Sequence, residues 1–269
     1  MTRSRYWLIA SARRRAAALD QDIFRIMLND IKTPQPFLQV FPEPESVFAE
    51  PVRQYAKHLL PCVSIDLAAV DPAWSGWIHL VAPVEPCDGY VGDGSEAFHN
   101  DYLASNWLAF RLDEANRYHL LGDFRYFLAE DMPEPPPADA ADEHGWLREH
   151  CAAQHASYQA AKARYRRLGA LHYVGGPFIS EDSDFSADEP SNLIDQLGGG
   201  VYGGNWTSPS ALPLDEEDEE NVVPIGPDGK RFRFVACVTG YDYVANGADT
   251  ILLFYEPDSK VALLTFDWS

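Results

Sequence analysis

Three groups of residues in this chain have the types and spacing for chemistry. His150, Cys151 and His155 stand close together, and Cys151 and His155 are four apart, a spacing at which two helical side chains can grip one metal ion. Gly198, Gly200 and Gly203, within Leu-Gly-Gly-Gly-Val-Tyr-Gly-Gly-Asn-Trp, match the G-x-G-x-x-G pattern that brings backbone amides up to a pyrophosphate. Asp215-Glu216-Glu217-Asp218-Glu219-Glu220 puts six carboxylates side by side, able to hold Ca²⁺ weakly or to attract a cationic surface.

The elements that would position these groups decide between the readings. Residues 145 to 168 have helical periodicity through Leu147, Cys151, His155, Tyr158, Ala161, Tyr165 and Leu168, with Gly169 placed to end the helix. Cys151 and His155 therefore continue an apolar stripe, and core packing is the expected role, since a structural zinc site wants four ligands. The glycine pattern needs a helix opening after it, yet Asn205-Trp206-Thr207-Ser208-Pro209 follows, so a tight loop packed against Trp206 is expected and nucleotide binding is not. The acidic run lacks the D-x-[DN]-x-[DN]-G loop, which argues against a dedicated calcium site. No G-x-S-x-G elbow, Walker A motif or zinc-deaminase signature occurs, and no spacing ties the scattered Ser, His and Asp into a triad. The expectation is a protein that is not an enzyme and carries no cofactor and no metal.

Composition points to a binding protein. The 269 residues are 46% hydrophobic and 13% aromatic, too apolar for a disordered chain, and sufficient for one large domain or two modest ones. The formal net charge is -20, from 41 acids against 21 bases. Such a field repels nucleic acid and anionic membrane surfaces, and it speeds the encounter with basic proteins. Cys62, Cys87, Cys151 and Cys237 are far apart and read as free thiols of a reducing compartment. Tyr6 to Ala10 is too short an apolar run for a signal peptide, and no segment has the length of a membrane helix, so a soluble, cytoplasmic protein is expected.

The coarse layout is α+β: a helix-bearing N-terminal half, one long central helix and an antiparallel C-terminal sheet. A helix is expected over 11 to 31, short extended pieces such as Phe37 to Phe41 between the prolines of 33 to 51, and strands at 62 to 70 and 76 to 82. The aromatic region 96 to 128 has no readable periodicity, and the proline-rich 129 to 143 is a linker candidate. An N-terminal region 1 to 130 and a C-terminal region 144 to 269 follow, packed together as one unit or as two. Later strands are expected at Arg231 to Val238, with Phe232, Phe234, Ala236 and Val238 on one face, and at Ile251 to Tyr255 and Val261 to Phe266. Glu256-Pro257-Asp258-Ser259 joins the last two in a hairpin, and Asn246-Gly247 marks another turn.

Charge is unevenly placed along this layout. Residues 1 to 32 and 146 to 171 hold 12 of the 21 bases, whereas 130 to 143, 181 to 195 and 215 to 220 hold six acids each and no base. Three base-free acidic segments next to turn formers suggest a negative recognition side on a polarised molecule, although any one of them alone reads as a solvated loop. The candidate partner contacts are Glu181, Asp182, Asp184, Asp188, Glu189 and Asp215, Glu216, Glu217, Asp218, Glu219, Glu220, with Tyr202 and Trp206 as aromatic anchors.

The last 75 or so residues resemble a known family. Leu193-Ile194-Asp195-Gln196-Leu197-Gly198-Gly199-Gly200, Phe234-Val235-Ala236-Cys237-Val238, Gly247-Ala248-Asp249-Thr250-Ile251-Leu252-Leu253-Phe254-Tyr255 and Leu264-Thr265-Phe266-Asp267-Trp268 are similar to successive motifs of the YwqG-like bacterial proteins. Asn246 and Cys237 stand where that family has Trp and Gln. The resemblance implies an α+β or mostly β fold with no catalytic residue to carry over. It also implies an immunity protein of a polymorphic or type VI secretion toxin. With the acidity, the expected partner is a basic toxin acting in the cytosol, a nuclease above all, blocked at its active site. A metabolic enzyme with its site in the aromatic region, and a chaperone or scaffold for a basic protein, are the alternatives.

Overall fold

Alternating apolar residues build the centre of the molecule. In this computed structural model, which describes residues 27–86, 88–132, 144–174, 189–208 and 210–268, three strands alternate between two cores. They are β5 (Trp107–Leu112), β11 (Thr250–Glu256) and β12 (Val261–Asp267). Leu108, Phe110, Ile251, Leu253, Leu264 and Phe266 face one core, while Trp107, Ala109, Leu252, Phe254, Val261 and Leu263 face the other. Successive residues of a strand point to opposite faces, so this sheet must be covered on both sides.

The sheet has seven strands in the order β1-β7-β10-β11-β12-β5-β6, adding β1 (Leu28–Ile31), β6 (Tyr118–Leu120), β7 (Ile194–Leu197) and β10 (Arg233–Val238). Every neighbouring pair is antiparallel. Its strands come from both ends of the chain, and β12 pairs directly with β5. A division between 130 and 144 would therefore cut through the sheet. Of the aromatic residues in 96 to 128, Trp107, Phe110 and Tyr118 are fully buried on β5 and β6.

One face of the large sheet is covered by a smaller one, β2 (Leu38–Val40), β3 (Leu59–Asp66) and β4 (Trp77–Pro83), in the order β2-β3-β4. Both contribute to one core that also takes in α3 (Gly145–Leu168). The helix ends at Gly169, whose left-handed backbone (φ 72°) lets its amide bond to the Tyr165 carbonyl at 2.8 Å. Polar side chains hold α3 in place: Tyr158 donates to the Pro61 carbonyl at 2.7 Å, and Gln154 exchanges bonds with the backbone of Asn246 at 3.0 and 3.2 Å. The helix thus bridges the small sheet and the turn after β10.

Three expectations are corrected. Within 27–132 the helices are short, α1 (Pro44–Val47), α2 (Val52–His58) and three single 3₁₀ turns, and six strands lie there, so the described N-terminal half carries more strand than helix. The end of the expected 11 to 31 helix is β1, paired with β7; residues 1–26 lie outside the described residues. Phe232, Phe234, Ala236 and Val238 do not share one face. A bulge shifts the β10–β11 register between Phe234 and Ala236, sending Phe232 and Phe234 to one core and Ala236 and Val238 to the other. Among the described residues no helix is long and apolar enough to cross a membrane.

Candidate functional site

The second face of the large sheet is covered by the segment from Val201 to Phe232, and this layer carries the acidic run. Leu214–Asp215 (β8) pairs with Val223–Pro224 (β9), so Glu216 to Glu220 form the tip of a two-stranded ribbon. The tip is shaped by Asp side chains: Asp215 Oδ1 accepts the Glu217 amide and Asp218 Oδ1 the Glu220 amide, each at 3.1 Å. All five residues from Glu216 to Glu220 are exposed, and none forms an ion pair with a described base. Asp215 differs: it is largely covered and paired with Arg231 at 2.9 Å.

The glycine loop fixes the base of this ribbon. Val222 donates to the Val201 carbonyl at 2.8 Å, and a Cβ on Gly200 would stand 2.1 Å from the Glu220 carbonyl oxygen, so only glycine permits the approach. Gln196 Nε2 donates to the carbonyls of Gly198 and Gly200 at 2.9 and 2.7 Å. Those carbonyls thus already have a protein partner, and the loop serves as a seat for the ribbon. Tyr202 projects from it, 64% exposed, and the charges of Glu220 and Asp218 raise its hydroxyl pKa. The structure thus brings Tyr202 together with the ribbon tip.

Two expected contacts are corrected. Trp206 is 2% exposed and packs its ring 5.4 Å from Phe254 and 6.1 Å from Trp107, so it anchors the layer and cannot anchor a partner. Its indole N–H donates to the Tyr202 carbonyl at 3.1 Å, which fixes the backbone from which Tyr202 projects. Asp215 is spent on Arg231 and sits beneath the tip. Glu189 is exposed beside Pro190, which bridges His172, and it precedes β7, whereas the glycine loop follows that strand. Glu181, Asp182, Asp184 and Asp188 lie outside the described residues.

The other acidic segments are partly structural. Glu130 accepts from Gln54 and His58, and its main-chain oxygen takes a bond from Lys57 at 2.9 Å, so the start of the expected linker is tied to α2. Asp195 lies in β7, where burial raises its pKa despite bonds from Asn192 and Thr239 at 2.8 and 3.0 Å. Among the described residues, the 216–220 tip is the acidic stretch left for solvent. The basic stretch on α3 is also partly neutralised, because Lys162 and Arg166 both pair with Glu43 at 3.0 and 2.6 Å.

Side-chain constellations elsewhere serve the fold. His150 and His155 donate to the backbone carbonyls of Val84 and Lys57 at 2.9 and 3.1 Å. No group of three His, Cys, Asp or Glu among the described residues could hold a metal ion. Ser64 and His79 are cross-strand partners, with Ser64 Oγ 2.7 Å from His79 Nδ1. His79 Nε2 meets the Asn116 carbonyl at 2.8 Å, so Nε2 carries the proton and Nδ1 accepts from the serine. Burial lowers the His79 pKa to about 4, and both residues are closed from solvent, so this pair is not a reachable nucleophile and base. Ser64→Ala is expected to cost ~1–3 kcal/mol by leaving Nδ1 unpaired. Urea denaturation reads this loss, and an unchanged midpoint would show that the bond contributes nothing.

His58 and Glu130 are the pair that sequence reading missed. Separated by 72 residues, they meet at 2.7 Å, with the His58 ring stacked on Phe127 and its pKa lowered to about 4 by burial. No local spacing signals such a contact. The cysteines are free thiols where described, and burial pushes Cys237 up to about 12, which makes it a poor nucleophile. Comparison of the chain with protein-family models, with curated proteins and with solved structures finds no match.

Proposed function

We propose that this chain is a binding protein of the immunity type, which uses the acidic ribbon tip and Tyr202 to capture a basic protein toxin in the cytosol and cover its active site. One observation carries the reading: five adjacent exposed carboxylates, without described basic partners, are held beside an exposed tyrosine by a rigid glycine seat. Unpaired surface charge of one sign favours encounter with the opposite sign, and an exposed tyrosine supplies contact area at small entropic cost. A nuclease suits as target, because phosphate-binding surfaces are basic and an acidic ribbon can take the place of phosphate. Further support comes from the C-terminal motifs similar to YwqG-like proteins, which lie on β7, β10, β11 and β12, four consecutive strands of the large sheet.

The test uses the full chain and the product of the neighbouring gene. Exchanging Glu216, Glu217, Asp218, Glu219 and Glu220 for their amides is expected to slow association about 10–100-fold at low salt. Tyr202→Ala is expected to speed dissociation about tenfold. Measured by surface plasmon resonance, unchanged kinetics in both variants would sink the reading. So would a neighbour that is a metabolic enzyme without affinity for this chain.

A further inference from the structure

Three turns meet at one end of the two sheets: residues 71–76 before β4, 113–117 between β5 and β6, and 257–260 between β11 and β12. Between them opens a cleft of about 340 Å³, lined by Trp74, Glu114, Asn116, Tyr255 and Lys260 among others. That volume falls in the range of small-molecule sites. One wall is aromatic and fixed: Trp74 meets Tyr255 edge-on with centroids 5.3 Å apart, and Tyr255 belongs to the main core. Arg233 lies 5.4 Å from the Trp74 centroid and is held at 3.0 Å by Asp71. Another wall is closed by Gly76, where a Cβ would stand 2.1 Å from Asn116 Oδ1.

The cleft carries charge of both signs. Lys260 and Glu114 are exposed and line it together, yet neither forms an ion pair with a described residue. Elsewhere Lys162, Arg166, Lys230, Arg231 and Arg233 pair with carboxylates, while Lys32, Arg53, Arg111 and Arg167 form no ion pair with a described residue but lie outside the cleft. What sets Lys260 apart is its place: it is the base among the residues that line this cleft, and it shares the cleft with a carboxylate that also forms no ion pair. A simple anion would satisfy Lys260 and be repelled by Glu114, and a simple cation would meet the reverse. A zwitterion satisfies both.

We propose that this cleft binds a free α-amino acid, with its carboxylate on Lys260, its ammonium on Glu114 and its side chain against Trp74. The bound molecule exchanges hydration for two opposite charges and an aromatic face, a combination that distinguishes it from salts and amines. The cleft shares no residue with the acidic ribbon, so this binding stands or falls apart from capture of a partner protein.

The test is a thermal-shift and tryptophan-fluorescence titration of the full chain with each of the common L-amino acids at millimolar concentration. At least one is expected to bind saturably, and Lys260→Ala and Glu114→Gln are each expected to weaken it about tenfold or more with an unchanged melting temperature of the free protein. The decarboxylated amine and the N-acetyl derivative of the same amino acid are expected to lose binding to a similar degree. Absence of saturable binding by any amino acid overturns the proposal, as does equal binding by the amine or full retention of affinity in both variants.

Discussion

Trp206→Ala is expected to destabilise the protein by about 3–5 kcal/mol, the usual cost of deleting a fully buried indole. Trp206 is the central large ring of the outer core, touching Phe254 and Trp107 on the sheet below. Its loss leaves a cavity under a layer that has few ladder bonds of its own, since β8 and β9 have two paired residues each. The surroundings can collapse only partly, because the sheet beneath is fixed by pairing on both sides of β11. Trp206→Phe keeps most of the buried area and forfeits the bond to the Tyr202 carbonyl, so a loss of about 1 kcal/mol is expected. The urea midpoint of each variant checks these values, with limited proteolysis within residues 210–222 as a reading of the layer alone. A wild-type midpoint for Trp206→Ala would mean that the layer contributes nothing to global stability. Partner binding separates the two aromatics: Trp206→Phe is expected to keep it, whereas Tyr202→Ala is expected to weaken it about tenfold through faster dissociation.

Why one aromatic is buried and its near neighbour exposed was not legible from sequence. Tyr202 and Trp206 are four apart in a glycine-rich loop, and both look like anchors on composition alone. What separates them is a long-range fact, the position of β5 and β11 under the loop, and β5 lies in the region without readable periodicity. That region alternates, but both faces are apolar, because the sheet is covered twice; a strand buried on both faces loses the polar half of its pattern. The hairpin of β11 and β12 was legible for the opposite reason, since Pro257, Asp258 and Ser259 announce its turn locally. β10 was legible as a strand and misread in its facing, because the bulge that reverses its sides has no composition signal. The acidic run was legible as exposed charge and proved to be a ribbon tip. Glu130 and Asp195 were misread as solvated because their partners, His58 and Thr239, are distant in sequence.

Asp242→Asn is expected to stabilise the protein at pH 8 and to leave it nearly unchanged at pH 4. Asp242 is 7% exposed at the end of the turn Gly240–Asp242, and burial is the main cause that raises its pKa to about 7. A bond with Ser191 and the charge of Lys32 oppose the rise, while the charge of Asp195 adds to it. Asp195 is itself held by Asn192, which also bonds Asp30 at 2.9 Å, so a carboxylate already crowds this corner. The folded chain therefore binds a proton that the unfolded chain releases near pH 4. Stability from this group is present in full below pH 4 and is lost as pH rises through 7. A shift of roughly 3 units corresponds to an upper bound on the order of 4 kcal/mol by pH 8. The asparagine amide has the shape of the protonated acid and no charge to bury, so the variant escapes the loss. Other titrating groups contribute equally to both proteins, and the difference between their urea stabilities at the two pH values isolates Asp242. A difference that stays constant from pH 4 to pH 8 would show that Asp242 is ionised in the folded protein throughout, and that Ser191 and Lys32 outweigh burial at this corner.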